Sequence, residues 1–160
     1  MIFYRIDRTK QECYKEHDDY RIIKANKEQA NSIFDEYILN LNPDYFKDKR
    51  ENIFALTALD RNENIAGFIV AYLDEMYAPL DGTQWIIPYI FVYPELRRQG
   101  IASALVREII KYAKESNVTQ LIAVRAQDAT EFWYNNNFDM FHWSAVGKVN
   151  IAVVAGLRII

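Results

Sequence analysis

Hydrophobic and polar residues alternate along the chain in blocks that predict a mixed α/β protein. Residues 85–93 are apolar almost without interruption, which is the pattern of a strand covered on both faces. A short basic turn follows. Apolar residues then recur at helical spacing on one face: Ile101, Leu105, Val106, Ile109, Ile110 and Ala113. Residues 85–117 therefore predict a buried strand, a glycine turn and an amphipathic helix, and the rest of the chain is organised around them.

The same patterns place the other elements. Strands are predicted over residues 20–25, 53–59, 64–73, 119–124, 138–145 and 149–160, and further helices over 26–41, 43–50 and 128–136. Asn26 and Gln29 form a capping-box signature, and Asp128 with Glu131 predicts a second one. Pro88 cannot donate to a strand ladder, so we expect a bulge or a splayed edge there. Residues 1–19 are an extension, with an edge strand at 1–6 and a charged helical turn or loop at 11–19.

The turn before the central helix has the features of an anion-binding site. The first N–H groups of a helix are unpaired and carry partial positive charge. Gly100 leaves that backbone open, and Arg97 and Arg98 add fork-shaped donors suited to phosphate. The alternative is a helix start with two solvated arginines. The sequence contains no GxxxxGK[ST] loop and no GxGxxG after its first strand, so other phosphate motifs are excluded.

The residues at this turn resemble a known family. Residues 97–102, Arg-Arg-Gln-Gly-Ile-Ala, are similar to the [RQ]-x-x-G-x-[GA] acyl-CoA motif of the GNAT family of N-acetyltransferases. Residues 65–69 resemble the third strand of that family, and 129–138 its last helix. The resemblance covers residues 20–144. It implies one domain over 1–160 (core 20–145, C-terminal strand 148–160), with six or seven mostly antiparallel strands and helices on both faces.

The resemblance also implies a cofactor site and a reaction. In that family the fourth and fifth strands separate, and acetyl-CoA lies in the gap. The cofactor-binding residues implied here are Ile90, Phe91, Val92, Arg97, Arg98, Gln99, Gly100, Ile101 and Ala102. A backbone N–H near Phe91 or Val92 would donate to the thioester oxygen. The implied activity is transfer of the acetyl group directly to a primary amine of a small molecule or peptide.

The catalytic acid departs from the family pattern. The family supplies a tyrosine from its last helix to protonate the leaving thiolate. Trp133 occupies that position here, and Tyr134 follows it. Because an indole N–H is not a useful acid, the prediction for the acid is Tyr134.

The base that takes the amine proton stays open. Its candidates are Tyr89, Glu75, Asp81 and His142. Asp74, Glu75 and Asp81 would also suit a cationic acceptor, or they belong to a solvated loop.

Composition narrows the function classes. The net charge of −3 speaks against a nucleic-acid partner, and no apolar run is long enough to cross a membrane. The first residues do not form a signal peptide, and the single cysteine, Cys13, fits a reducing compartment, so a cytoplasmic location is expected. His17 and His142 lack partners at metal-ligand spacing, so no metal is expected. The apolar C-terminal strand could pair across a homodimer.

Two other functions stay open on the sequence. The first is an acyl-CoA-binding module that has lost catalysis, for which Trp133 is the motivating residue. The second is a toxin-like acetyltransferase that blocks aminoacyl-tRNA, against which the acidic net charge speaks.

Overall fold

A computed structural model of the protein describes residues 13–16, 19–74, 83–123, 129–144 and 151–158. The strands are β1 (Cys13–Glu16), β2 (Tyr20–Lys24), β3 (Ile53–Asp60), β4 (Ile65–Asp74), β5 (Gln84–Val92), β6 (Gln120–Ala123), β7 (Asp139–Ser144) and β8 (Ile151–Arg158). The α-helices are α1 (Lys27–Ile33), α2 (Pro43–Phe46), α3 (Ile101–Glu115) and α4 (Thr130–Asn135). A π-helical turn (Phe34–Ile38) and a 3-10 turn (Leu39–Leu41) continue α1.

In the described residues the strands form one sheet of eight, in the order β1-β2-β3-β4-β5-β6-β8-β7. Every neighbouring pair is antiparallel except β5 and β6, which are parallel. The predicted mixed α/β fold is confirmed. Two details differ. The sheet has eight strands rather than six or seven, and residues 13–16, predicted as a charged helical turn or loop, form strand β1, because β2 offers them a free edge to pair with.

The helix ends show which local signals were read correctly. Asn26 accepts a hydrogen bond from the Gln29 N–H at 2.8 Å, and the Gln29 side chain accepts one from the Asn26 N–H at 2.9 Å. This capping box is therefore confirmed. The one predicted at α4 begins at a residue that the structure does not describe. That helix has Ala129 as its N-cap with no side-chain hydrogen bond, while Asp128 lies outside the described residues.

Helices cover both faces of the sheet. Helix α3 packs on one face, where Ile22, Leu56 and Ile69 belong to its core. Helix α1 and the π-helical turn pack on the other face, against a core that includes Phe68 and Val70. The site described below lies where these two layers meet a break in the sheet.

The alternation of side chains along β5 reverses at Pro88. Before Pro88, Trp85 and Ile87 pack on the α3 face. The pairing of β5 with β4 then shifts register, which is the bulge that Pro88 predicted. After the shift the residues of even number, Ile90 and Val92, pack on the α3 face. Because side chains alternate along a strand, the intervening aromatic residues of β5 turn toward α1.

Gly67 allows β4 to approach β5 closely. A Cβ at this position would lie 2.5 Å from the carbonyl oxygen of Phe91. We expect Gly67→Ala to lower the free energy of unfolding by about 1–3 kcal/mol, because backbone atoms must move to admit the methyl group. Chemical denaturation measures the change. Ala66→Gly, which adds no atoms, is the control for altered strand propensity, and an unchanged midpoint in Gly67→Ala would contradict the close approach.

Candidate active site

A gap opens in the sheet between β5 and β6. Within the described residues the two strands pair over Gln84–Ile87 and Gln120–Ala123, and the ladder is not continued at Pro88. A cavity of about 550 Å³ lies at this point. It is lined by Tyr89, Ile90, Phe91, Val92, Leu96, Arg97, Arg98, Gly100, Ile101, Ala102, Ser103 and Phe132.

Side chains from both faces of the sheet line the cavity. Tyr89 and Phe91 line it from the α1 face, while Ile90 and Val92 line it from the α3 face. All the residues predicted to bind the cofactor therefore come together here except Gln99, which is exposed and is not part of the lining. Two molecules can approach one another in this cavity from opposite faces of the sheet.

The edge of β5 presents backbone groups to the cavity. The Tyr93 N–H donates a hydrogen bond to the Ala66 carbonyl of β4 at 3.1 Å. In an antiparallel ladder the direction of the N–H groups alternates, so the Phe91 N–H points to β4 and the Val92 N–H points into the gap. Of the two donors predicted from the sequence, the register favours Val92.

Arg97 forms a hydrogen bond with one of these backbone groups. Its Nε donates to the Val92 carbonyl oxygen at 2.9 Å. The side chain thus links the end of β5 to the turn before α3, although the residue itself is exposed. Arg97 therefore fixes the distance between the strand edge and the start of the helix.

The start of α3 is open to an anion. Gly100 is its N-cap, with a φ of 80°, and no side chain caps the helix. Its carbonyl accepts from the Ala104 N–H at 3.0 Å, so the N–H groups of residues 100–103 have no partner within the helix. A Cβ on Gly100 would meet nothing within 4 Å, which leaves space beside these donors. With Arg97 and Arg98 in the lining, this set of donors fits a pyrophosphate.

Helix α4 places its three aromatic residues differently. Phe132 lines the cavity. Trp133 is 4% exposed and packs edge-on against Phe132 and Phe138, with 5.0 Å between ring centroids in each pair. Tyr134 is 67% exposed and is not among the lining residues. Trp133 is thus a packing residue, and the role predicted for Tyr134 requires α4 to shift relative to the cavity.

The candidate bases are placed as follows. Tyr89 lines the cavity. Glu75 and Asp81 lie outside the described residues, and His142 belongs to β7 with its side chain outside them. Tyr37, on the α1 face, has a pKa raised to about 12, first by burial and then by Glu36 and Tyr93. A phenol with this pKa stays protonated at neutral pH, so Tyr37 is not a base there.

Three lining residues were missed by reasoning from the sequence: Leu96, Ser103 and Phe132. Ser103 is the third residue of α3, so the helix start itself was the signal. Its hydroxyl accepts a hydrogen bond from Asn136 at 3.3 Å, which joins the end of α4 to the cavity. Phe132 had no sequence signal of its own, because its direction depends on how Trp133 packs.

Comparison with known proteins identifies the class. The model of the acetyltransferase (GNAT) family matches residues 10–138. The chain therefore belongs to the GNAT family, and it is an acetyl-CoA-dependent acetyltransferase. The sequence has no significant match among curated protein sequences.

Solved structures share the fold. Arabidopsis thaliana NAA60 in complex with acetyl-CoA is 18% identical, with a TM-score of 0.62 over 88% of this chain and 98% of that one. A Bacillus subtilis acetyltransferase in complex with CoA is 17% identical, with a TM-score of 0.63 over 87% and 98%. A GNAT-family acetyltransferase from Staphylococcus aureus is 18% identical, with a TM-score of 0.60 over 88% and 99%.

Within the described residues, no group of three or more His, Cys, Asp or Glu side chains is placed to hold a metal ion. None of the helices in that part of the chain has the length and apolar character needed to cross a membrane.

Proposed function

We propose that the protein transfers the acetyl group of acetyl-CoA directly to a primary amine of a small molecule or peptide. The observation that carries this proposal is the cavity at the end of the β5–β6 ladder, which is lined from both faces of the sheet. Its α3 end has the positive charge and open N–H groups that suit a phosphate, and its α1 end is aromatic. Arabidopsis NAA60 has also been solved with a bisubstrate analogue, which supports an amine acceptor.

The chain's own residues divide the work in this proposal. Acetyl-CoA supplies an acetyl group activated as a thioester. Arg97, Arg98 and the start of α3 bind the anionic end of that molecule. The Val92 N–H donates to the carbonyl oxygen on which negative charge develops. Phe132 narrows the cavity and keeps water from the reacting atoms. The proton of the amine leaves through water or Tyr89.

Isothermal titration of acetyl-CoA into the purified protein tests the proposal, with desulfo-CoA and ATP as comparators. We expect micromolar binding of acetyl-CoA and weak binding of ATP, because ATP lacks the pantetheine that would pair with the edge of β5. A screen of amines, read by release of free CoA thiol, follows. Absence of acetyl-CoA binding would overturn the assignment.

The contribution of Tyr134 is tested by Tyr134→Phe. With the side chain 67% exposed, we expect kcat to stay within about threefold of the wild-type value, with water protonating the leaving thiolate. Steady-state rates and a parallel acetyl-CoA titration measure both quantities. A tenfold loss of kcat at unchanged affinity would instead identify Tyr134 as the proton donor that the family resemblance implies.

A further inference from the structure

Aromatic rings form the wall of the cavity on the α1 face. Tyr89 and Phe91 line the cavity directly. Tyr37 packs on both, with ring centroids 5.7 Å from Tyr89 and 5.6 Å from Phe91. Phe68 lies behind them, 4.8 Å from Tyr37. These four residues are called the aromatic wall below. Their rings pack against one another, and this packing holds the wall in one shape.

The π-helical turn positions Tyr37 in this wall. The Leu39 N–H bonds to the Phe34 carbonyl five residues back, which inserts one extra residue into the helix. Phe34 and Ile38 are both fully buried, and Tyr37 packs on Tyr89 and Phe91 of β5. Such turns are rare and are frequent at functional sites. One residue of the wall thus lies in a local departure from regular helix.

The aromatic wall carries no charge at neutral pH. The Tyr37 hydroxyl bonds to Tyr93 and to Glu36, and its pKa of about 12 keeps it protonated. Glu36, an acid on this face, is exposed. Within the described lining, the charged side chains are those of Arg97 and Arg98 at the other end of the cavity, and none is a carboxylate or an imidazole.

An apolar wall has two consequences for the acceptor. It favours an apolar group beside the amine, because that group loses contact with water on binding. It also disfavours the charged form of the amine, since burial lowers the pKa of an ammonium group. At pH 7.5 an α-amino group, with a pKa of about 7.7–8.0, is neutral roughly two to three hundred times more often than a lysine ε-amine at about 10.4. A site lined in this way suits the α-amine.

We propose that the acceptor is the α-amino group of a peptide or amino-acid amide whose first side chain is apolar, such as leucine, methionine or phenylalanine. That side chain packs on Tyr89 and Phe91. The inference rests on the proposed function and names the substrate class of the same site.

Four acceptors test the proposal at saturating acetyl-CoA and pH 7.5: a leucine-initiated pentapeptide, the same peptide beginning with aspartate, Nα-acetyl-lysine amide, and spermidine. Thiol release gives kcat/KM for each. We expect kcat/KM for the leucine peptide to be at least ten times that for the aspartate peptide. We also expect it to be about a hundred times that for the lysine derivative and for spermidine.

Variants of Tyr89 separate packing from chemistry. Tyr89→Ser should raise KM for the leucine peptide about tenfold. Tyr89→Phe keeps the ring and should keep the wild-type KM and order of acceptors, while a loss confined to its kcat would reflect proton transfer by the hydroxyl. The control is Tyr112→Ser, because Tyr112 is half-buried like Tyr89 but stacks on Phe54 on the α3 face, outside the cavity lining. The control should leave the order of acceptors unchanged. An equal loss in Tyr89→Phe and Tyr89→Ser would assign the effect to the hydroxyl and overturn the packing role.

The outcomes also distinguish this inference from the proposed function. Preference for spermidine or the lysine ε-amine would overturn the acceptor class and leave transfer to a primary amine standing. Acetyl-CoA binding without thiol release from any of the four acceptors would likewise overturn the acceptor class. Failure of acetyl-CoA to bind in the titration would overturn the proposed function itself.

Discussion

Gly100→Glu is expected to weaken acetyl-CoA binding at least 100-fold while leaving the fold intact. The position is the N-cap of α3, and a Cβ there meets nothing within 4 Å, so a longer residue can begin without a clash. Its carboxylate would lie beside the open N–H groups and hold negative charge where the pyrophosphate should bind. A loss of this size corresponds to about 2.7 kcal/mol of binding free energy.

Gly100→Gln is the matched control for this variant. Both side chains have the same length, and both pay the strain of a φ of 80°, about 1 kcal/mol, which thermal unfolding measures. Because glutamine carries no charge, we expect it to weaken binding less than tenfold. Equal losses in the two variants would attribute the effect to bulk, and wild-type affinity in Gly100→Glu would remove the phosphate site from this turn.

Arg97→Ala is expected to lower kcat/KM for the acetyl transfer about 10- to 100-fold. The variant loses a charge at the phosphate end and also the hydrogen bond from Nε to the Val92 carbonyl, a charged bond of the kind worth about 1.5–3 kcal/mol. Without this bond the edge of β5 can move relative to α3. The Val92 N–H would then be held less firmly, so part of the loss should appear in kcat.

Arg98→Ala separates charge from positioning. Arg98 lines the same cavity and is likewise exposed, so its removal takes away a similar charge, and we expect a three- to fivefold rise in KM with kcat unchanged. Arg97→Lys keeps the charge but not the planar fork, and should recover only part of the activity. Identical kcat and KM changes for Arg97→Ala and Arg98→Ala would show that the Val92 bond has no catalytic consequence.

The features that could be predicted from the sequence are those that depend on neighbouring residues. The capping box of Asn26 and Gln29 and the bulge at Pro88 were both predicted from local chemistry. Arg97 and Gly100 were likewise predicted to be cofactor-binding residues from their spacing within one turn. Each of these signals acts over a few residues, and so it is visible without the fold.

The remaining features depend on contacts between distant segments. Strand β1 exists because β2 has a free edge, which no pattern within residues 11–19 reveals. The direction of Tyr134 follows from the packing of Trp133 against Phe138. The aromatic wall joins Tyr37, in a π-helical turn, to residues of β4 and β5, and a helical pattern does not disclose the extra residue of such a turn.

The gap at Pro88 divides the sheet into two arms. Strands β1–β5 form one arm, and β6–β8 form the other. Within the sheet the arms are joined by the short parallel ladder of Gln84–Ile87 with Gln120–Ala123. A molecule bound in the gap would contact both α4 and the edge of β5. It would therefore link the two arms at a second place. We therefore expect a bound substrate to raise the free energy of unfolding of both arms together.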